Sequence, residues 1–180
     1  MTRSQTIADD LPNLWLLSDE RNDGALEQAI ARLPRGSGFV FRHYHLTLTD
    51  RRTRFASLLP LLRAGSHWAI ASTTPEIALG WGADGVYGAA AEQPRAEAKW
   101  IATAHDAEEI SAANHVAVDA VMLSPVFPTR SHPDAKVLGT DGFHRLARAS
   151  ACPVIALGGM NAERAKQLNW PRWAAIDGLS

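Results

Sequence analysis

Residues 100–123 read Trp100-Ile-Ala-Thr-Ala-His-Asp-Ala-Glu-Glu-Ile110-Ser-Ala-Ala-Asn-His-Val-Ala-Val-Asp-Ala120-Val-Met-Leu123. Two short apolar runs, Trp100 to Thr103 and Ala120 to Leu123, bound the stretch. Neither alternates cleanly, and near-continuous apolar runs suit parallel strands buried on both faces. Between them Asp106 precedes Glu108 and Glu109, which reads as a helix start: a capping side chain, then acids where the helix dipole favours them. Ile110 and Ala113 continue the helical spacing. Strand, helix and strand in succession predict a parallel unit with a right-handed crossover.

The same alternation extends in both directions. Further apolar runs fall at Leu14 to Leu17, Phe39 to Phe41, Trp68 to Ala71, Gly85 to Tyr87, Val154 to Leu157 and Trp173 to Ile176. Helix-period segments separate them: Leu26, Ile30 and Leu33; Phe55, Leu58, Leu59 and Leu62; Ile77 and Leu79; Phe143, Leu146 and Ala147. Eight strands favour a closed (β/α)8 TIM barrel, with an open doubly wound sheet as the alternative. Such barrels usually take about 250 residues, so a chain of 180 implies minimal loops. The sequence stops two residues after Gly178, so the expectation is a compact barrel lacking its final helix. Its apolar flank would need cover from the N-terminal arm or a second subunit. Residues 1–12, polar and ending at Pro12, are expected to form that arm, and residues 13–180 a single barrel domain.

Composition narrows the function. Hydrophobic residues make up 46% and charged residues 21%, and 18 Lys+Arg against 19 Asp+Glu give a net charge of −1. A generally basic surface for nucleic acid is thereby excluded. No run approaches the 18 or so apolar residues of a membrane span, and the first ten residues carry no apolar signal core. Cys152 is the sole cysteine, so no internal disulfide can form. The expectation is a cytoplasmic protein with neither nucleic-acid nor membrane partners.

Two stretches carry polar chemistry at strand ends. From Asp119 to Gly139 a buried strand exits at Ser124 into a loop with three prolines and the run Thr129-Arg130-Ser131-His132. Loops at the carboxyl ends of barrel strands hold active sites. Hydroxyl donors beside cationic or titratable groups suit an oxyanion or phosphate; a solvated loop shaped by its prolines is the plainer account. The second stretch is Pro153-Val-Ile-Ala-Leu-Gly158-Gly159-Met-Asn161-Ala-Glu163. Its glycines would let a ligand approach backbone N–H groups, and Asn161 is a helix N-cap candidate. An ordinary tight turn explains the same glycines.

Ser124-Pro-Val-Phe-Pro-Thr-Arg-Ser-His-Pro with Leu138-Gly139, then Pro153-Val-Ile-Ala-Leu-Gly-Gly-Met, resembles the thiamine phosphate synthase and TenI family. Gly82-Ala-Asp-Gly-Val resembles its fourth-strand motif, and Thr103-Ala-His-Asp its fifth. Arg42 falls where the second strand carries Gln-Leu-Arg-x-Lys. The likeness covers about residues 13–178 and implies a (β/α)8 barrel. It implies a transferase of thiamine biosynthesis joining hydroxymethylpyrimidine diphosphate to thiazole phosphate. The alternatives are a TenI-like thiazole tautomerase and a non-catalytic binder of a phosphorylated ligand. The implied catalytic residues are Arg42, Thr103, Ser131 and His132. Thr129, Arg130, Gly158, Gly159 and Ile176 are the implied phosphate binders, and Glu92 is the implied ligand of Mg²⁺. Phosphorylated small molecules would be the partners, with a homodimer contact through Trp170 and Trp173 as one reading of those tryptophans.

Departures from the motifs deplete the pyrophosphate and metal half of that site. Val40 and Tyr44 stand for the second-strand Gln and Lys, and Ser72-Thr73 for the third-strand Asn-Asp. His132 stands for the sixth-strand Lys and Asp177 for an eighth-strand Ser that donates to phosphate. Pro125 stands where the TenI branch has a His. His43 and His45 alternate along the second strand and suggest a metal pair, although satisfied or exposed histidines are the simpler reading. His105, at the fifth-strand position, reads as structural. Trp68 and Trp100, at strand starts, are expected to plug the barrel's lower end or pack under helices.

Overall fold

The computed structural model describes residues 10–90, 98–129, 136–177 and 179. Eight parallel strands close on themselves: β1 (Leu14–Leu17), β2 (Gly38–Phe41), β3 (Trp68–Ala71), β4 (Gly85–Ala89), β5 (Lys99–Ala104), β6 (Ala120–Leu123), β7 (Val154–Ala156) and β8 (Trp173–Ala175). Each pairs with the next, and β8 pairs with β1 through Leu14 opposite Trp173 and Trp15 opposite Ala174. The expected closed barrel is therefore the observed fold. Strand ends follow the hydrogen-bond ladder rather than hydrophobicity. β4 and β5 thus run past their apolar runs, while β7 and β8 stop one residue short of theirs.

Parity along each strand explains why the runs do not alternate. Trp15, Leu17, Val40, Ile70, Tyr87, Ile101, Met122, Ile155 and Ala174 fill the barrel interior. Their neighbours Leu16, Phe39, Phe41, Ala69, Ala71, Val86, Ala102, Val121 and Ala156 face the helices. Both faces are buried, so both must be apolar.

A 3-10 helix (Glu20–Ala25) leads into α1 (Leu26–Arg32), followed by α2 (Leu48–Ala64), α3 (Pro75–Gly80), α4 (Ala107–Val116), α5 (Gly139–Ala149) and α6 (Ala162–Leu168). Asp106 caps α4 by accepting from the N–H groups of Glu108 and Glu109. Asn161 caps α6 by accepting from the Arg164 N–H. On α3 the buried residues are Pro75 and Ala78, and Leu79 is exposed. Ile77 and Leu79 are two apart, and such a pair cannot share a helix face.

Trp15, fully buried, is the main plug of the lower end, a role the sequence reading gave to others. Its Nε1 donates to the Pro12 carbonyl at 2.8 Å, and Trp68 meets it edge-on at 6.1 Å. Trp100 packs in the helix-side core, the second of the two places expected for it. Trp170 stands edge-on to Phe143 at 5.2 Å and donates to the Val154 carbonyl. No helix follows β8 among the described residues, and Trp173 and Leu179 pack on that flank's core.

Candidate functional site

Among the polar groups singled out above, Arg42, Thr103 and Asp177 fall at the carboxyl ends of β2, β5 and β8. Arg42, the first residue after β2, continues the inward parity of Val40. Its backbone N–H donates to Ser18 Oγ at 2.8 Å, its Nε to the Ser18 carbonyl at 3.3 Å and its Nη2 to Asp19 Oδ2 at 2.9 Å. Ser18 and Asp19, the two residues after β1, thus fix the guanidinium before any ligand arrives. Asp19 also receives Arg21 Nε at 2.8 Å. Partial burial works against its charge, but the Arg21 hydrogen bonds and the two guanidinium groups hold its carboxyl below the usual range.

Arg21 in turn lies 3.5 Å from Asp177 just past β8. The carboxylate that stands for a phosphate-donating Ser therefore faces a counter-charge. Inside the rim, burial pushes the Tyr87 hydroxyl up to about 12, with the neighbouring Arg42 pulling the other way.

His43 is buried and does not continue the strand. β2 ends at Phe41, and His43 takes φ +23°, which stacks its ring on Phe41 at 4.6 Å. Its Nδ1 meets Ser18 Oγ at 2.8 Å. Its Nε2 lies 2.9 Å from Asp23 Oδ1, off the N–H direction of an aligned hydrogen bond. His45 is exposed, its ring 5.2 Å from that of His43. Among the described residues no group of three or more His, Cys, Asp or Glu can hold a metal ion. His105 pairs with Glu109 Oε2 at 2.8 Å on the surface.

These buried imidazoles have a pH consequence. Burial lowers His43, outweighing Asp23, which acts to raise it; Arg54 and His45 also disfavour its charge. Burial likewise lowers His67, outweighing its hydrogen bond to the Ser37 backbone. The unfolded chain binds protons at these histidines near pH 6.5, the folded chain only at lower pH. Stability is therefore full above about 6.5 and falls as pH drops through the window between that value and the folded ones. Thermal melts from pH 7.5 to 5.0 should show a falling midpoint, and His43→Asn should flatten the slope. A midpoint independent of pH would contradict this.

Thr103, next to last in β5, shares the inward parity of Ile101. Thr129 is partly buried in the loop after β6. Ile176 packs against the interior core, and its carbonyl accepts from Asn22 Nδ2 at 3.0 Å. Glu92, Arg130, Ser131 and His132 lie outside the described residues. Gly158 and Gly159 follow β7 with φ +91° and +64°. A Cβ on Gly158 would meet Pro125 Cα at 2.6 Å, and one on Gly159 the Pro128 carbonyl at 2.5 Å. The glycine pair therefore seats the β6 loop, a packing role the sequence reading missed. The Val126 and Phe127 N–H groups bond to the Leu157 and Gly158 carbonyls, both at 3.0 Å.

Tyr44 and Ser72 replace charged or amide groups of the resembling motifs, and they bond to each other: Tyr44 Oη and Ser72 Oγ are 2.7 Å apart. Where the motif offers a carboxylate to a divalent cation, Ser72 and Thr73 offer hydroxyls, and that of Ser72 is engaged. The described residues do not fit a Mg²⁺ site.

The family model described as thiamine monophosphate synthase matches residues 15–176. Thiamine-phosphate synthase of Geobacillus kaustophilus is 34% identical over 140 residues, covering 73% of this chain and 62% of the relative. That of Pyrococcus furiosus is 31% identical over 100 residues, 52% of this chain and 48% of the relative. The chain spans about half the length of several such relatives. Among solved structures, thiamine phosphate pyrophosphorylase from Pyrococcus furiosus superposes with a TM-score of 0.76 at 22% identity, covering 93% of this chain and 86% of that one. The citrate synthase SbnG shares the fold at 0.61 and 12% identity. No helix among the described residues is long and apolar enough to cross a membrane.

Proposed function

The chain belongs to the thiamine monophosphate synthase family, and from that premise we propose that it joins hydroxymethylpyrimidine diphosphate to thiazole phosphate. In this reaction the carbon–oxygen bond to pyrophosphate breaks first, and the bonding pair leaves with the pyrophosphate. The thiazole nitrogen then captures the pyrimidine cation, giving thiamine phosphate. The main demand on the protein is to disperse negative charge on the leaving group.

The observation that carries this reading is Arg42, a guanidinium fixed by Ser18 and Asp19 at the mouth, with its side chain only 17% exposed. A preorganised cation stabilises developing charge without reorganising. Thr103, Thr129, Arg130, Ser131 and His132 are the further donors in this proposal. Gly158, Gly159 and Ile176 cradle the thiazole phosphate through their backbone. No step is routed through a metal ion, and Glu92 is the one acidic residue proposed near it.

Incubating the protein with both substrates and Mg²⁺ should yield thiamine phosphate and pyrophosphate in equal amounts. Arg42→Met should lower kcat/KM by roughly 100-fold or more, with Arg42→Lys recovering part of the loss. No product at high enzyme concentration would overturn the transferase reading. The Tyr44–Ser72 pair, neutral where charge is expected, favours as second reading a protein that binds thiamine phosphate without turnover. Its mark is saturable binding with neither substrate consumed.

A further inference from the structure

Tyr44 is 63% exposed, the most open of the large hydrophobic side chains among the described residues. An exposed aromatic ring is ordinarily free to rotate, and stacking on it costs that freedom. This one is held. Its hydroxyl is anchored to Ser72 Oγ at 2.7 Å. The guanidinium carbons of Arg51 and Arg42 lie 5.7 and 5.9 Å from the ring centroid. Arg51 is itself fixed: Nη2 donates to the Ser72 carbonyl at 2.7 Å, and its guanidinium sits 6.0 Å from Phe41 and 5.8 Å from Trp81. The ring therefore stands fixed at the mouth, with the guanidinium groups of Arg42 and Arg51 close by.

A flat, rigid, open π surface is a stacking platform, and rigid aromatics recognise ligands at low entropic cost. Two guanidinium groups within 6 Å of its centroid favour a stacked ring that carries an anion. We infer that Tyr44 is a binding platform for a planar heteroaromatic ring bearing a phosphate, and that it discriminates ligands by their ring rather than their charge. The inference rests on the proposed function for its choice of mouth and ligand class. It goes beyond it by assigning ring recognition to a residue that stands where the resembling motif has a cation. Base–aromatic stacking falls by roughly 10- to 100-fold in affinity when the aromatic residue is truncated.

Calorimetric titration of thiamine phosphate, uridine monophosphate and inorganic pyrophosphate into wild type, Tyr44→Phe and Tyr44→Leu tests this. Tyr44 is exposed, so the variants should fold, which a thermal melt verifies. The expected result is thiamine phosphate bound at least about 10-fold more weakly by Tyr44→Leu. Tyr44→Phe should stay within about 3-fold of wild type, with pyrophosphate unchanged throughout. Equal thiamine phosphate affinity in wild type and Tyr44→Leu would overturn the platform and leave the proposed function standing. An equal loss of pyrophosphate binding in Tyr44→Leu would also overturn it, since the ring would not be what is read. Uridine monophosphate bound by wild type, lost in Tyr44→Leu, with no thiamine phosphate binding, would uphold the platform and refute the proposed substrates. Wild type binding neither aromatic ligand would overturn both.

Discussion

Gly158→Val should lower the melting midpoint by roughly 10 °C and weaken ligand binding at the rim. Two penalties add at this position. The backbone has φ +91°, where a β-branched residue is strained by on the order of 1–3 kcal/mol. The new Cβ would also lie 2.6 Å from Pro125 Cα and 3.2 Å from the Val126 nitrogen, and such overpacking costs about 1–3 kcal/mol more. For a chain of this size each kcal/mol shifts the midpoint by about 2–4 °C. Relief would require Pro125 to move, breaking the Val126 and Phe127 bonds to the Leu157 and Gly158 carbonyls and displacing the loop that leads to Thr129. Gly36→Val is the matched control. Gly36 has φ +75° with nothing within 4 Å of its added Cβ, so it isolates strain from collision. Equal losses in the two variants would show that the seat of the β6 loop is not what Gly158 supplies.

Gly158 also marks where sequence reading stops. Its place at the end of an apolar run was legible, and so was the turn. The reason for glycine was not, because the colliding atoms belong to Pro125, 33 positions earlier and brought near only by the β6–β7 ladder. Arg42 follows the same logic. A cation just past β2 is visible in the chain, whereas its partners Ser18 and Asp19 lie 24 and 23 residues away and depend on the register of β1 against β2. His43 and His45 follow the simpler of their two readings, one bonded and buried, the other exposed. The strand alternation itself was not the cause, since β2 ends at Phe41 and the chain turns at His43.

The eight strands themselves were legible because burial on both faces leaves a composition signal that needs no partner to be read. Charge at the rim leaves none. A lone Asp177 looks hostile to phosphate until Arg21 is seen beside it. Tyr44 and Ser72 look like two separate losses until they are found bonded. Pairing through space is what a single sequence withholds, and this rim consists largely of such pairs.

Trp15→Ala should be the most destabilising single truncation in the barrel floor, and Gly38→Ala should partly rescue it. Removing a fully buried tryptophan typically costs about 3–5 kcal/mol. Here it also strips the buried Pro12 carbonyl of its donor, adding on the order of 1–3 kcal/mol. Gly38 is the complement of that ring: a Cβ built there falls 2.1, 2.2 and 2.5 Å from Trp15 Cε3, Cδ2 and Cε2. Trp15 has no exposed surface into which to retreat, so Gly38→Ala alone should cost about 1–3 kcal/mol through overpacking. In the double variant the methyl group enters the space the indole has left. The two penalties should then fall short of their sum by more than about 1 kcal/mol, a coupling that chemical denaturation of the four proteins measures. Strict additivity would mean that the indole and the Gly38 backbone are not in contact. The lower end of the barrel would then be sealed by Trp68 instead.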